Sequence, residues 1–323
     1  MDSEIKLKKV CIVGCGAISR IHAKQLCGKV DLYFVSRNME RALTLSKSYG
    51  GRGVYRNYEE TLESDIDAVV LCTPPDLHAE AVKDALFARK HVLVEKPLCV
   101  SREELDSLVS VASTHSELSL VIAENYYYKP SLQFLQDIIS DGLIGELEHI
   151  HVRKCFRQKS EGWKKEYGAL LEGGIHFVAL ISALTQKSPR KITAKFPSLT
   201  LGINERRSQL ELDYGNNLSA RLEYAWDVDD RMYGLFQHSL IRGSKGHIVF
   251  ESNGLYVRVK NSQKKFLKFP GFLDLMGYKA QMEDFLACIC RPGRLPKSGI
   301  SQAQRDLNIV FTAYEQLEEL RNE

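Results

Sequence analysis

The sequence predicts an α/β domain on a parallel doubly wound sheet over residues 1–124, followed by an α+β domain with a large, mostly antiparallel sheet over residues 125–323. Three observations carry this. Short apolar runs alternate with amphipathic stretches through the first 124 residues. Those runs are continuously apolar, as in strands covered by helices on both faces. From residue 191 onward the strand candidates follow one another through turns, without helices between them.

In the first domain, strands are expected at Val10–Val13, Leu32–Val35, Ala68–Leu71, His91–Val94 and Leu118–Ala123. Helices are expected at Ile18–Cys27, Met39–Ser48, Leu77–Ala88 and Arg102–Thr114. Regular alternation of this kind gives parallel strands joined by right-handed crossovers. Beyond residue 145 the pattern changes. Glu146–Phe156 alternates, with neither side cleanly apolar, and a helical segment spans Leu170–Leu184. Strands follow at Lys191–Phe196, Ser208–Tyr214, Leu218–Tyr224, Phe236–Arg242, His247–Glu251 and Leu255–Val259. Gly215-Asn216-Asn217 and Ser252-Asn253-Gly254 supply turn chemistry. Helices around Lys279–Cys290 and Ser301–Arg321 close the chain.

Composition narrows the function. With 323 residues, 44% hydrophobic and 26% charged, this is an ordinary globular chain of two domains. A net charge of +3 is too small for a nucleic-acid partner. No apolar run is long enough for a membrane span, and the N-terminus lacks a signal-peptide core. The eight cysteines form no CxxC pair, so they read as buried apolar residues in a reducing, cytoplasmic protein. His149 and His151 have ligand-like spacing without supporting Cys or carboxylate motifs, and no metal is expected.

Gly14-Cys15-Gly16-Ala17-Ile18-Ser19 follows the first strand and opens the first helix, the setting a dinucleotide fingerprint requires. Gly14 permits the tight turn. Gly16 lets backbone approach a pyrophosphate at the helix N-terminus, with Ala17 and Ile18 in its first turn. Ser19 stands where Gly or Ala is usual. The second strand ends in Ser36-Arg37, which offers a guanidinium but no carboxylate for a ribose hydroxyl. That favours a 2′-phosphate, hence NADP(H), with NAD(H) as the alternative.

Further motifs follow in order: Cys72-Thr73-Pro74-Pro75-x-x-His78, Glu95-Lys96-Pro97, and Gly168-x-Leu170-x-Glu172-x-Gly174-Ile175-His176. With the glycine motif they resemble the glucose–fructose oxidoreductase, inositol dehydrogenase and rhizopine catabolism family, Gfo/Idh/MocA, over nearly the whole chain. The resemblance implies a Rossmann domain followed by an open sheet that often packs on a partner subunit. It also implies oxidation or reduction of a sugar or cyclitol hydroxyl with NAD or NADP. By the resemblance Lys96 is the catalytic lysine and His176 the general acid/base. Glu172 takes the position of an aspartate, and Thr73, Pro74, Glu95 and Asn125 line the nicotinamide and substrate pocket. Ala179 stands where Asp is common.

The same residues make chemical sense alone. Hydride transfer at a carbinol carbon needs a proton moved at its oxygen, and histidine moves protons in either direction near neutrality. Glu172 and His176, four apart on a helix, share a face, so the carboxylate can orient the imidazole. Lys96, past a parallel strand's carboxyl end, can polarise the substrate oxygen. His78 is read as a helix-start or pocket-wall residue on the cofactor side, and Tyr126 as pocket wall. Arg157 and Trp163 lie in a basic segment with Arg153, Lys154, Lys159, Lys164 and Lys165 that leads into Glu172 and His176. The segment reads first as a solvated basic face; the reading set against it makes Arg157 the candidate anion clamp, with Trp163 stacking on a sugar or base, for an anionic sugar substrate. The expected assembly is a homodimer or homotetramer through the second sheet. The alternatives are a non-catalytic NAD(P)-sensing regulator and a reductase of a non-sugar carbonyl or imine.

Overall fold

The computed structural model describes residues 8–159, 162–197, 199, 203–230, 232, 234–291 and 293–322. The chain divides into two compact units. One comprises the chain up to Glu124 together with Tyr278–Ala303, the other Asn125–Gly277 together with the chain from Gln304.

The first unit carries β1 (Lys9–Val13), α1 (Ala17–Leu26), β2 (Asp31–Val35), α2 (Met39–Ser48), β3 (Gly53–Val54), α3 (Tyr58–Glu63), β4 (Ala68–Leu71), α4 (His78–Phe87), β5 (His91–Val94), α5 (Arg102–Thr114) and β6 (Leu120–Ile122). Its six strands lie in the order β3-β2-β1-β4-β5-β6, all parallel, as the alternation predicts. Asn38, Asn57 and Ser101 each cap a helix by accepting from the backbone N–H three residues on. Val10, Ile12, Leu32, Phe34, Val70, Leu93 and Val121 from the strands form the core.

That core also takes in Met282, Phe285 and Ile289. These belong to a helix that sequence order assigns to the second domain. The reason is apolar spacing: three large side chains on one face complete the core beside Ala23 and Leu26 of α1. The chain then returns past β6, where Ile122 N–H donates to the Ser298 carbonyl at 2.9 Å. Residues 278–303 therefore lie with the first unit rather than inside a 125–323 domain.

The second unit carries α6 (Pro130–Ser140), β7 (Leu147–Cys155), α7 (Ile175–Thr185), β8 (Lys191–Lys195), β9 (Arg207–Gly215), β10 (Leu218–Ala225), β11 (His238–Gly243), β12 (Gly246–Glu251), β13 (Val257–Asn261) and β14 (Lys265–Lys268). The strand order is β14-β13-β12-β11-β7-β10-β9-β8, antiparallel except where β10 runs parallel to β7. The alternation of β7 resolves into a buried side of Ile150, Val152 and Lys154, the last donating its ammonium to the Gly234 carbonyl at 2.5 Å. Two helices follow, α8 (Tyr278–Cys290) and α9 (Ile300–Asn322). Sequence periodicity passes over α3 and α6, the first too short to show a face. Among the described residues no helix is long and apolar enough to cross a membrane.

Candidate active site

In a parallel sheet all strands end along one edge, which is where ligands bind in open α/β folds. Here that edge carries Gly14 after β1, Ser36 and Arg37 after β2, Thr73 and Pro74 after β4, and Glu95 and Lys96 after β5. Gly14 has φ of +92°, and a Cβ there would lie 2.8 Å from the Cys72 carbonyl oxygen, so glycine alone fits between the ends of β1 and β4. At Gly16 a Cβ would meet nothing within 4 Å. Gly16 and Ala17 are exposed, Ile18 is half-buried, and no side chain caps the N-terminus of α1. Ser19 is buried and donates to the Gly16 carbonyl at 2.6 Å, so the unusual hydroxyl turns back into its own helix. The Thr73 hydroxyl is buried with no hydrogen-bond partner among the described residues. An open backbone cradle at a helix N-terminus and a waiting hydroxyl fit a dinucleotide. Arg37 is exposed, and Ser36 Oγ accepts from the Asn38 N–H at 3.2 Å.

Lys96 is held by its neighbours. Its own N–H donates to Glu95 Oε2 at 3.2 Å, while Glu95 Oε1 lies 2.6 Å from His22 Nε2. Burial pushes the Glu95 carboxyl up, but the His22 hydrogen bond and the charges of His22, Lys96 and His78 bring it net below its ordinary value. Tyr278 of α8 faces the same carboxylate. Burial, with Glu95 and Glu124, pushes its phenol up to about 12. His22 and Tyr278 were invisible as site residues in sequence. His22 sits on the buried stripe of α1 with Ser19, Ala23 and Leu26, and only its polarity there could have marked it.

His78 opens α4, one of the two places the sequence gives it. It is fully buried, with Nδ1 2.8 Å from the Pro97 carbonyl and Nε2 2.9 Å from the Thr73 carbonyl. Both nitrogens are spent on backbone, which braces the loops after β4 and β5.

In the second unit the segment carrying Glu172 and His176 is irregular. Leu170–Gly174 forms a π-helical turn that runs straight into α7, where the sequence predicts one continuous helix. Such turns recur at functional sites. Glu172 is buried, and Lys164 Nζ lies 2.9 Å from its Oε1. Gly173 is required by close approach, since a Cβ would fall 2.0 Å from the Tyr224 hydroxyl, itself held by Trp226 Nε1 at 2.8 Å. Every residue of α7 is buried except His176, which is half-exposed. Its ring stacks on Tyr126 at 5.0 Å and 16°, and Lys129 Nζ lies 4.1 Å from the centroid of that same Tyr126 ring. Asn125 is buried and donates its amide to the Met276 carbonyl at 2.7 Å. Arg157 grips Asp229 with both fork nitrogens, at 2.5 and 3.0 Å, on the exposed surface. Trp163 falls in the turn Gly162–Glu166, and its side chain lies outside the described residues. His149 bonds to Ser219 at 2.8 Å and His151 pairs with Glu223 at 3.3 Å on the sheet.

Residues 8–123 match the model of an oxidoreductase family with an NAD-binding Rossmann fold, and residues 132–249 match that family's C-terminal domain. This chain belongs to the Gfo/Idh/MocA oxidoreductase family. As a Gfo/Idh/MocA protein it is an enzyme of the dehydrogenase and reductase class with an NAD(P)-binding domain. It is 27% identical to an inositol 2-dehydrogenase of Rhizobium meliloti over 304 residues, 89% of this chain and 90% of the relative. It is 31% identical to a dTDP-3,4-didehydro-2,6-dideoxy-α-D-glucose 3-reductase of Actinomadura kijaniata, over 52% of this chain and 53% of the relative. The fold matches a 3-ketoreductase of Actinomadura kijaniata in complex with TDP-benzene and NADP (TM-score 0.77, 22% identity, 95% and 96% of the two chains). It also matches an oxidoreductase of Agrobacterium radiobacter in complex with NAD+, L-tartaric acid and magnesium (TM-score 0.81, 17% identity, 96% of each chain).

Proposed function

We propose that this enzyme moves a hydride between a nicotinamide and a hydroxyl or keto carbon of a sugar, nucleotide sugar or cyclitol. The observation that supports this most is His176, the single half-exposed position of an otherwise buried helix, held flat by Tyr126. A histidine at the one partly exposed position of a buried helix is open to a ligand in a way a core-filling side chain is not. The bound nicotinamide would supply or accept the hydride. His176 takes or gives the proton at the substrate oxygen, and Glu172, itself held by Lys164, fixes the charge beside it. Lys96 polarises the same oxygen, its backbone anchored to Glu95. Gly14, Gly16, Thr73 and Pro74 hold the cofactor, with Arg37 favouring NADP(H). Relatives named for an inositol and for a dTDP-linked keto sugar support a sugar-like ring as the substrate class.

The face of β7, β10 and β9 carrying His151, Arg221, Glu223 and Glu211 is laced with ion pairs and is the surface for a homodimer or homotetramer. The deciding experiment is turnover of Lys96→Ala and His176→Ala on a panel of sugars, sugar nucleotides and cyclitols. Each variant loses about 10²–10⁴-fold in kcat while still binding NADP(H). Near wild-type turnover in His176→Ala on the active substrate refutes the assignment.

A further inference from the structure

The N-terminus of the catalytic segment is held by side chains remote in sequence. The Ala169 and Leu170 N–H groups donate to the two oxygens of Glu205, at 2.6 and 2.9 Å. The Leu171 N–H donates to the Tyr314 hydroxyl at 3.1 Å, which in turn donates to Glu205 Oε1 at 2.6 Å. The Glu172 N–H is met by the Gly168 carbonyl at 3.1 Å. The three N–H groups ahead of that first intrahelical bond are thus all satisfied, by one carboxylate and one phenol. Glu205 is 3% exposed, and a Cβ on Gly168 would lie 2.3 Å from its Oε1, so the chain is shaped to let the carboxylate in.

We propose that Glu205, seconded by Tyr314, is a positioning residue that fixes the turn carrying Glu172 and His176, and that it does so only as a carboxylate. This rests on the reading that Glu172 and His176 act on substrate. All three groups that reach the Glu205 carboxylate are donors; a carboxylic proton would find no acceptor among them and would weaken what its oxygen accepts. Both the charge and the acceptor capacity suit the positive end of a helix.

Burial pushes the Glu205 carboxyl up to about 7, against the pull of the Tyr314 hydroxyl, the Leu170 and Ala169 N–H groups and the Arg206 charge. Tyr224 of β10 also faces Glu205 and Glu172. Glu205 therefore changes charge near neutrality. As pH falls through about 7 the turn loses its anchor and activity falls. Stability runs the other way: a carboxyl raised above its unfolded value favours folding most below the ordinary carboxylate range, and loses that contribution as pH rises through about 7. The ionised anchor is held at some cost in stability, as strained functional groups are.

The test is kcat and KM against pH for wild type, Glu205→Gln, Tyr314→Phe and His176→Ala, with NADP(H) binding and thermal unfolding measured alongside. Glu205→Gln is expected to lose on the order of 10–100-fold in kcat, the scale of a misplaced catalytic group, with cofactor affinity unchanged and its acid limb near pH 7 gone. Tyr314→Phe removes a donor that lowers the Glu205 value, so its acid limb moves to higher pH. If Glu205→Gln does not fold, the Tyr314→Phe profile decides alone. An inactive His176→Ala beside a folded Glu205→Gln with wild-type kcat and an unchanged limb overturns the positioning role. An unshifted Tyr314→Phe limb does the same. A fully active His176→Ala refutes instead the reading on which the proposal rests.

Discussion

His22 and Glu95 form a buried pair, Nε2 to Oε1 at 2.6 Å, with side chains only 2% and 12% exposed. The pair joins α1, which opens the cofactor cradle, to the residue before Lys96. Removing one partner strands the other charge in a dry place. His22→Ala is therefore expected to cost ~3–5 kcal/mol in urea unfolding, more than a surface pair loses. The pH dependence reverses as well. In the wild type Glu95 lies below its ordinary value, so its stabilisation is present above the carboxylate range and lost as pH falls through the folded value. Without His22 the burial that pushes Glu95 up goes largely unopposed, and stability is then lost as pH rises. Unfolding free energies that move in parallel for the two proteins between pH 4 and 8 contradict this.

Gln281 on α8 is fully buried, and neither amide atom has a hydrogen-bond partner among the described residues. A buried amide without partners costs roughly 1–3 kcal/mol. Methionine has nearly the same shape and flexibility without the polar atoms. Gln281→Met should raise the midpoint of thermal unfolding while leaving NADP(H) affinity unchanged. A lower midpoint means instead that the amide binds an internal water that methionine expels.

The parallel sheet was legible because its strands are continuously apolar, and the cradle because Gly14 and Gly16 follow β1 directly. What escaped were partnerships over long separations. His22 meets Glu95 across 73 residues and Tyr314 meets Glu205 across 109, and no local period reports such pairs. His78 shows the same limit: its place at a helix start was legible, but only the fold reveals that both nitrogens face carbonyls from separate loops. The Glu124/Asn125 boundary follows the last strand of the alternating pattern, whereas the return of α8 to the first unit depends on which core its apolar face completes.

The basic segment before the catalytic turn divides into two kinds of residue. Arg157 is surface-exposed on Asp229, while Lys164 reaches the buried Glu172. Exposed pairs contribute little. Arg157→Ala is expected to leave both stability and kcat nearly unchanged. Lys164→Met removes the cation beside a buried carboxylate and should lower kcat by at least about tenfold, a charge-assisted contact being worth ~1.5–3 kcal/mol. Steady-state rates on one neutral and one anionic sugar check both. A larger loss in Arg157→Ala, confined to the anionic sugar, restores Arg157 as an anion clamp.

The cofactor preference turns on the end of β2. An enzyme using NAD places a carboxylate there to accept from the ribose hydroxyls. This chain places Ser36, whose hydroxyl already accepts from the Asn38 N–H, and then Arg37, whose guanidinium stands exposed. Asn38 is committed to capping α2 through the Arg41 N–H at 3.0 Å, so it is not free to replace a carboxylate. A fork-shaped cation beside a small hydroxyl suits a phosphate on the ribose, which it can grip with two donors. Kinetics with both cofactors should therefore give a higher kcat/KM for NADP(H). Arg37→Ala should lower it roughly 10–100-fold, the worth of one guanidinium–phosphate contact, with little change for NAD(H). Arg37→Lys should recover only part, because an ammonium offers charge without the paired geometry. Equal use of the two cofactors, with NADP(H) kinetics untouched in Arg37→Ala, removes Arg37 from the cofactor site.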